Sequence, residues 1–187
     1  MSPTFRTSRG GSAAEPGRPH LVLVGLPGAG KSVVGEAVAE QLTRTFLDFD
    51  TEIERREGMS LSQIFGEKGE GYFREREREL SEELRLFGNM VLSPGGGWAT
   101  NADVVALLRP PAKLVYLKVR PETALKRLGS SRMTRPLLMR PDPAGELRRL
   151  LANRKAAYES ADFVVETELL DIKRVTEKVA QIASSLE

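Results

Sequence analysis

A glycine-rich turn between an apolar run and an amphipathic segment constrains this chain more than any other feature. In residues 20–42, HLVLVGLPGAGKSVVGEAVAEQL, the run Leu21–Val24 predicts a buried strand, and apolar residues recur at helical spacing after the turn. The turn, residues 25–32, matches the pattern G-x-x-x-x-G-K-[ST] of a phosphate-binding loop. Because the match lies between a strand and a helix, where such a loop must lie, it predicts an α/β domain that binds a polyphosphate.

The residue types in this turn explain how it would hold phosphate. Glycines let backbone N–H groups converge on a polyphosphate, and the N-terminus of the next helix adds the positive end of its dipole. Lys31 is placed to reach the β- and γ-phosphates, and Ser32 is placed to offer its hydroxyl to Mg²⁺. A turn without a chemical role would not need a lysine and a serine after its third glycine.

The composition fits one domain and excludes several classes of function. With 187 residues, the chain is long enough for a single α/β domain with a tail. Its 28 basic and 26 acidic residues leave a net charge of +2, so we expect no nucleic-acid partner. The absence of cysteine excludes disulfides and thiolate chemistry and fits a reducing compartment. No apolar run approaches the length of a membrane span, so we expect no membrane association.

The first 18 residues differ in composition from the rest. They are polar, rich in glycine, proline and serine, and have no apolar stretch typical of a secretory signal. We expect residues 1–18 to form a disordered tail, with a short organelle transit segment as the alternative. The domain would then span residues 19–187.

Two carboxylates flank the C-terminal end of the second predicted strand, residues 46–49. Asp48 and Asp50 lie near its C-terminal end, and ligands of parallel α/β sheets bind outside the carboxyl ends of the strands. One carboxylate is suited to hold Mg²⁺, through water, and the other to accept a proton from a substrate hydroxyl. The alternative is that they only cap the helix predicted over residues 51–56.

An arginine-rich helical region and a glycine run come next. Residues 60–87 predict two helices broken at residues 66–71, and the alternating Glu and Arg residues indicate an ion-paired surface. Spacing alone favours an exposed position for Arg74; the alternative is that it points into the crevice. After a third strand at residues 89–93, three glycines at residues 95–97 remove every β-carbon where the backbone must approach another group closely.

A basic loop follows the fourth strand, residues 113–119, and its helix. Residues 129–142, GSSRMTRPLLMRPD, are bounded by glycine and proline. In a phosphate-binding domain we expect this loop to close over the transferred phosphoryl group, with Arg135 making the contact. A mobile, solvated loop is the alternative.

Arg154 interrupts an apolar stripe. In the helix predicted over residues 144–158, Leu147, Leu151, Arg154 and Tyr158 share one face. A charge on an inward face must be paired, so Arg154 predicts an anionic partner such as a carboxylate. Alternatively, its long stem carries the guanidinium to the edge of the helix.

Taken together, these segments resemble the shikimate kinases, within the nucleoside-monophosphate-kinase-like group of phosphate-loop proteins. The resemblance covers about residues 20–186. It rests on six motifs in the family's order and spacing, which are GLPGAGKS, FLDFDTEIE, SLSQIFGEKGEGYFREREREL, PGGG, TRPLL and NRKAAYESAD.

The resemblance implies a fold and a reaction. The fold is a three-layer α/β/α phosphate-loop kinase with a five-stranded parallel sheet, a lid at about residues 129–142 and a helical substrate-binding region at about residues 50–80. The reaction is phosphorylation of the 3-hydroxyl of shikimate by ATP with Mg²⁺, on the route to aromatic amino acids. We expect a cytoplasmic monomer.

The resemblance also implies the site residues. Lys31, Asp50 and Arg135 would be catalytic. Ser32 and Asp48 would serve the metal. The nucleotide would be bound by Gly28, Ala29, Gly30, Lys31, Ser32, Val33 and Arg135, and the substrate by Asp50, Arg74, Gly95, Gly96, Gly97 and Arg154.

Two rival hypotheses remain, and one departure from the family pattern keeps the first of them open. Trp98 follows the glycines where the family usually has a small residue, which suggests a differently shaped pocket. A gluconate-type sugar-acid kinase of the same fold would also need a carboxylate clamp. A kinase-like ligand-sensing module without turnover is the second alternative.

Overall fold

A parallel five-stranded sheet forms the centre of the protein. The computed structural model describes residues 18–129 and 141–186. The strand order is β2-β3-β1-β4-β5, and all neighbouring strands are parallel. The strands are β1 (Leu21–Val24), β2 (Thr45–Asp48), β3 (Met90–Ser93), β4 (Lys113–Lys118) and β5 (Phe163–Glu166).

Helices connect the strands and cover the sheet. They are α1 (Lys31–Gln41), α2 (Phe49–Glu57), the single turn α3 (Leu61–Gln63), α4 (Gly69–Leu84), α5 (Ala102–Leu108), α6 (Pro121–Leu128), α7 (Pro143–Glu159) and α8 (Ile172–Ser184). A π-helical segment, Ile64–Lys68, joins α3 to α4, and a 3₁₀ turn, Trp98–Thr100, precedes α5. Helix α1 packs with α8, whereas α4 packs with α2 and α5, and α7 packs with α6.

The central strands are short apolar runs because both of their faces are covered. Every residue of β1 and β3 is buried, as expected for the middle of a parallel sheet flanked by helices. These strands, with apolar residues of the surrounding helices, form the hydrophobic core. The predicted α/β fold with a five-stranded parallel sheet is confirmed.

Strand pairing brings three chemically important segments to one edge. Val22 lies beside Leu92 in the β1–β3 pair, and Asp48 lies beside Ser93 in the β2–β3 pair. The segments that follow β1, β2 and β3 therefore emerge next to one another at the carboxyl ends of their strands, where α/β proteins bind ligands.

The helical region before β3 differs in detail from the prediction. The predicted break between the two helices covered residues 66–71, but Gly66 lies within the π-helical segment. Helix α4 already begins at Gly69, whose φ of 81° suits glycine. Helix α2 begins at Phe49, two residues earlier than predicted.

Some predicted features fall outside the described residues. Residues 1–17 of the predicted tail and residues 130–140 of the predicted lid are among them, and so is Arg135. Across the part of the chain that is described, every helix is too short or too polar to cross a bilayer.

Candidate functional site

The turn between β1 and α1 forms a closely packed loop. Gly28 and Gly30 have φ values of 83° and 96°, a region that residues with a side chain rarely adopt. A Cβ atom on Gly28 would collide with the carbonyl oxygen of Ala124 in α6, and one on Gly25 would lie 2.7 Å from the carbonyl oxygen of Leu117 in β4. Glycine is therefore required both by conformation and by close packing.

The Lys31 side chain folds back over this loop. Its ammonium group donates hydrogen bonds of 3.0 Å to the carbonyl oxygen of Gly25 and 3.1 Å to that of Leu26. These bonds hold a positive charge above the loop, where the phosphates of a nucleotide would be bound.

Ser32 and Asp48 meet beside the loop. The Ser32 hydroxyl donates a 2.6 Å hydrogen bond to Oδ2 of Asp48, while Oδ1 of Asp48 accepts a 3.2 Å bond from the backbone N–H of Thr51. Asp48 is thus the N-cap of α2, as one of the two interpretations of its position predicted. It also offers a carboxylate oxygen to the phosphate-binding loop.

A hydroxyl and a carboxylate oxygen at this position suit Mg²⁺. Among the described residues, no group of three or more histidine, cysteine or carboxylate side chains is arranged to hold a metal. Mg²⁺ is commonly bound by one or two protein oxygens, with water and substrate phosphates completing its octahedron. The residues present therefore fit a magnesium ion carried by a nucleotide.

The glycine run after β3 is surrounded by charged side chains from two helices. A Cβ atom on Gly95 would lie 2.7 Å from Oε1 of Glu77 and 3.2 Å from Oδ1 of Asp50. A Cβ atom on Gly97 would collide with the guanidinium group of Arg74. The prediction that these glycines allow close approach is confirmed: helices α2 and α4 bring Asp50, Arg74 and Glu77 to this turn.

The middle glycine connects this turn with both α7 and the phosphate-binding loop. A Cβ atom on Gly96 would lie 2.8 Å from Nη1 of Arg154, 3.2 Å from the Tyr158 hydroxyl and 3.4 Å from the carbonyl oxygen of Gly25. The Tyr158 hydroxyl donates a 2.7 Å hydrogen bond to the carbonyl oxygen of Gly96. Arg154 therefore faces the centre of the site rather than the edge of its helix.

Arg74 is held by two carboxylates of its own helix. Its Nη1 donates a 2.5 Å hydrogen bond to Oε2 of Glu77, and its Nη2 donates a 2.8 Å bond to Oε1 of Glu70. Of the two positions considered for Arg74, the structure has the one that faces the crevice. With Arg154, it gives the site two guanidinium groups, which suit a carboxylate ligand.

Glu77 is an unusual member of this site because it is almost fully buried. Burial raises the pKa of its carboxyl to about 7; Arg74 and Arg154 oppose this shift, and the negative charge of Asp50 adds to it. Sequence reasoning missed Glu77 because it lies in a run of alternating Glu and Arg residues. Its spacing could have indicated that it is buried, since Glu77 falls on the apolar stripe formed by Phe73, Leu80 and Leu84.

Trp98 packs beneath the glycine turn. Its side chain is 1% exposed, and its indole N–H donates a 3.0 Å hydrogen bond to the hydroxyl of Ser81 in α4. Its ring meets that of Phe49 edge to face at 6.4 Å. Trp98 thus joins the turn to α4 and to the start of α2, next to Asp50.

This fold and site define a phosphate-loop kinase. A family model described as shikimate kinase matches residues 27–184. A shikimate kinase of Moorella thermoacetica is 38% identical over 162 residues, which are 87% of this chain and 92% of that relative. The chain belongs to the shikimate kinase family, as the six motifs predicted.

Solved structures agree with this assignment. Shikimate kinase from Acinetobacter baumannii in complex with shikimate has 38% identity and a TM-score of 0.84, covering 90% of this chain and 94% of that one. A gluconokinase from Sinorhizobium meliloti has 16% identity and a TM-score of 0.58, covering 90% of this chain and 93% of that one. At that identity, the second similarity shows a shared fold alone.

Proposed function

We propose that this protein transfers the γ-phosphoryl group of ATP to the 3-hydroxyl of shikimate and releases shikimate 3-phosphate and ADP. The observation that carries the proposal is the position of Gly96, whose Cβ would lie 2.8 Å from Nη1 of Arg154 and 3.4 Å from the carbonyl oxygen of Gly25. Gly96 thus lies between the guanidinium group of Arg154, which suits a carboxylate, and the phosphate-binding loop, which suits a triphosphate. Membership of the shikimate kinase family supports the identity of the substrates.

The proposed reaction is an in-line displacement at phosphorus. The bond between the substrate's 3-oxygen and the γ-phosphorus forms while the bond to the β,γ-bridging oxygen breaks, and ADP leaves with that oxygen. Asp50 orients the attacking hydroxyl and accepts its proton. Lys31 places positive charge beside the oxygens that become more negative.

Ser32 and Asp48 are proposed to serve Mg²⁺, Ser32 through its hydroxyl and Asp48 through a water molecule. When bound, the ion would neutralise charge on the β- and γ-phosphates. The 2.6 Å contact between the two side chains supports the assignment, because both oxygens lie at the start of α1 beside the loop.

Arg74 and Arg154 are proposed to hold the carboxylate of shikimate, while Gly95, Gly96 and Gly97 leave room for its ring. Two planar guanidinium groups distinguish an acid from a neutral polyol, because each can form paired hydrogen bonds with a carboxylate. Arg135 would approach the phosphoryl group from the lid. Gly28, Ala29, Gly30 and Val33 would complete the nucleotide site.

We also propose that one chain works alone in the cytoplasm without a nucleic-acid partner. The cysteine-free sequence suits a reducing compartment, and a net charge of +2 is low for a protein that binds nucleic acid.

The test is ADP release by the purified full chain with MgATP and either shikimate, gluconate or no acceptor. We expect release with shikimate, and mass spectrometry should identify shikimate 3-phosphate. Activity with gluconate but not shikimate would favour the sugar-acid kinase. Binding of an acid without any ATP turnover would favour the sensing module.

A further inference from the structure

Glu77 places a second carboxylate beside Asp50 in the substrate pocket. Its side chain is 2% exposed, and its Oε2 accepts the hydrogen bond from Arg74. Its Oε1 is buried and has no hydrogen-bond partner among the described residues. That oxygen and Oδ1 of Asp50 lie 2.7 Å and 3.2 Å from the point that a Cβ atom on Gly95 would occupy. A buried carboxylate oxygen without a partner is costly, so a bound ligand or a proton is expected there.

The charges around Glu77 come from three helices. Arg74 lies on α4 with Glu77, Asp50 approaches from α2 and Arg154 from α7. Two carboxylates thus face two guanidinium groups. A bound acid adds a third negative charge and draws Arg74 and Arg154 towards itself, so the attraction that favours an ionised Glu77 becomes weaker.

We propose that binding of the substrate's carboxylate is coupled to the uptake of one proton from solvent by Glu77. This inference rests on the proposed function, since it concerns the binding of shikimate. No bond to carbon or phosphorus changes in this step: water or buffer gives up the proton and Glu77 Oε1 receives it.

Burial explains why the proton goes to Glu77. Its carboxylate is buried, and burial disfavours the charged form. The pKa of Glu77 is already raised to about 7 before the substrate's charge is added. A neutral Glu77 becomes a hydrogen-bond donor, so its Oε1 can donate to an oxygen of the bound acid.

The coupling gives substrate affinity a defined pH dependence. Because the bound acid raises the pKa of Glu77 further, binding favours the protonated form. The affinity is therefore greatest below the pKa of about 7 found without the acid, and it falls as pH rises above that value. The fall is at most about tenfold per pH unit, since one proton is involved, and it ends at the pKa of the complex.

Isothermal titration calorimetry measures the proton directly. Shikimate is titrated into the full chain at about pH 8 in two buffers with different ionisation enthalpies, and the difference in heat gives the number of protons taken up. We expect net proton uptake, of at most one proton, for the wild-type protein. The chain has one histidine, His20, whose pKa is lowered by burial, so it is neutral at this pH and does not contribute.

Two variants assign the proton to its residue. Glu77→Gln keeps an oxygen for Arg74 but cannot titrate, so it should take up no proton and should show no rise in KM for shikimate between about pH 7 and 8.5. Glu70 is the other carboxylate that binds Arg74, and its side chain is 68% exposed. Glu70→Gln should therefore leave the proton uptake unchanged. Equal heats in the two buffers for the wild-type protein, or full proton uptake by Glu77→Gln, would overturn the inference. A wild-type protein that binds no shikimate would instead overturn the proposed function.

Discussion

The hydroxyl of Ser32 and the carboxylate of Asp48 are joined by a 2.6 Å hydrogen bond, although 16 residues separate them in the sequence. The bond links the first turn of α1 to the N-cap of α2. It therefore fixes the two side chains that we propose to serve Mg²⁺ relative to the phosphate-binding loop, without the help of a ligand.

Asp48→Asn should raise the Mg²⁺ concentration needed for half-maximal activity by about 10- to 100-fold, because a neutral amide orients metal-bound water less strongly. The amide oxygen can still accept the hydrogen bond from Thr51, so the cap of α2 should persist. The measurement is ADP release during a Mg²⁺ titration. Asp171→Asn makes the same change at the N-cap of α8 and should have no effect on the titration.

Lys31→Ala should lower kcat by about 10²- to 10³-fold, because it removes the charge placed beside the transferred phosphoryl group. The variant should remain folded by circular dichroism. Lys118→Ala, which removes an exposed lysine paired with Glu166, is the matched control and should keep full activity. A wild-type kcat in Lys31→Ala would contradict the proposed role.

Arg154→Ala should raise the KM for shikimate by about 10- to 100-fold, the range expected when a hydrogen bond to a charged group is lost. The KM for ATP should change little. Arg149→Ala removes a 54% exposed arginine from the same helix and serves as the control. A change confined to the KM for ATP would show that Arg154 does not bind the acid.

Gly97→Ala should displace the side chain of Arg74. The backbone of Gly97, with φ of −90° and ψ of −15°, accepts alanine, but the new methyl group would collide with the Arg74 guanidinium. We expect a KM for shikimate about tenfold higher at an unchanged melting temperature, since a flexible side chain can move away. Gly71→Ala lies in α4, where the new atom would meet no described residue within 4 Å apart from its chain neighbours and the backbone of its own helix, so its KM should match the wild type.

His20 should make the protein less stable in acid. Its Nδ1 accepts a 3.3 Å bond from the Met90 N–H and its Nε2 donates a 3.0 Å bond to the Leu84 carbonyl, so the fold binds the neutral ring. Burial lowers the pKa of His20; the carbonyls of Leu84 and Phe87 oppose this shift, and the charge of Arg44 adds to it.

Because the folded-state pKa of His20 lies below its ordinary value of 6.5, its contribution to stability is complete above that value and decreases as pH falls through it. His20→Gln should therefore flatten the pH dependence of the unfolding free energy between about pH 7 and 5. Urea denaturation across this range is the measurement. An unchanged slope would show that the pH dependence comes from other groups.

Local patterns predicted most of the fold and part of the site. The phosphate-binding loop was predictable because its glycines, Lys31 and Ser32 act through their own segment. The inward position of Arg154 was predictable because a charge within an apolar stripe stands out. The crevice-facing positions of Arg74 and Glu77 were harder to predict, since the alternating charges of α4 are also typical of a solvated surface. Their burial depends on the glycine turn after β3, which meets α4 only in three dimensions.

The environment of Trp98 also depends on tertiary contacts. As a sequence feature it suggested an altered pocket, but its indole is buried against Phe49 and Ser81. The side chain therefore serves as packing beneath the turn. Nothing in the sequence near Trp98 indicates these partners, because Ser81 precedes it by 17 residues and belongs to another element.

Trp98 is the single tryptophan of the chain. All indole fluorescence of this protein consequently originates at one point, between the helix that carries Arg74 and the turn next to Asp50. Changes of charge or water content in the neighbouring pocket alter the emission of such a residue. Trp98 is thus an intrinsic optical reporter beside the proposed acid-binding site, and we expect stopped-flow measurements on the unlabelled chain to time the arrival of the acid separately from phosphoryl transfer.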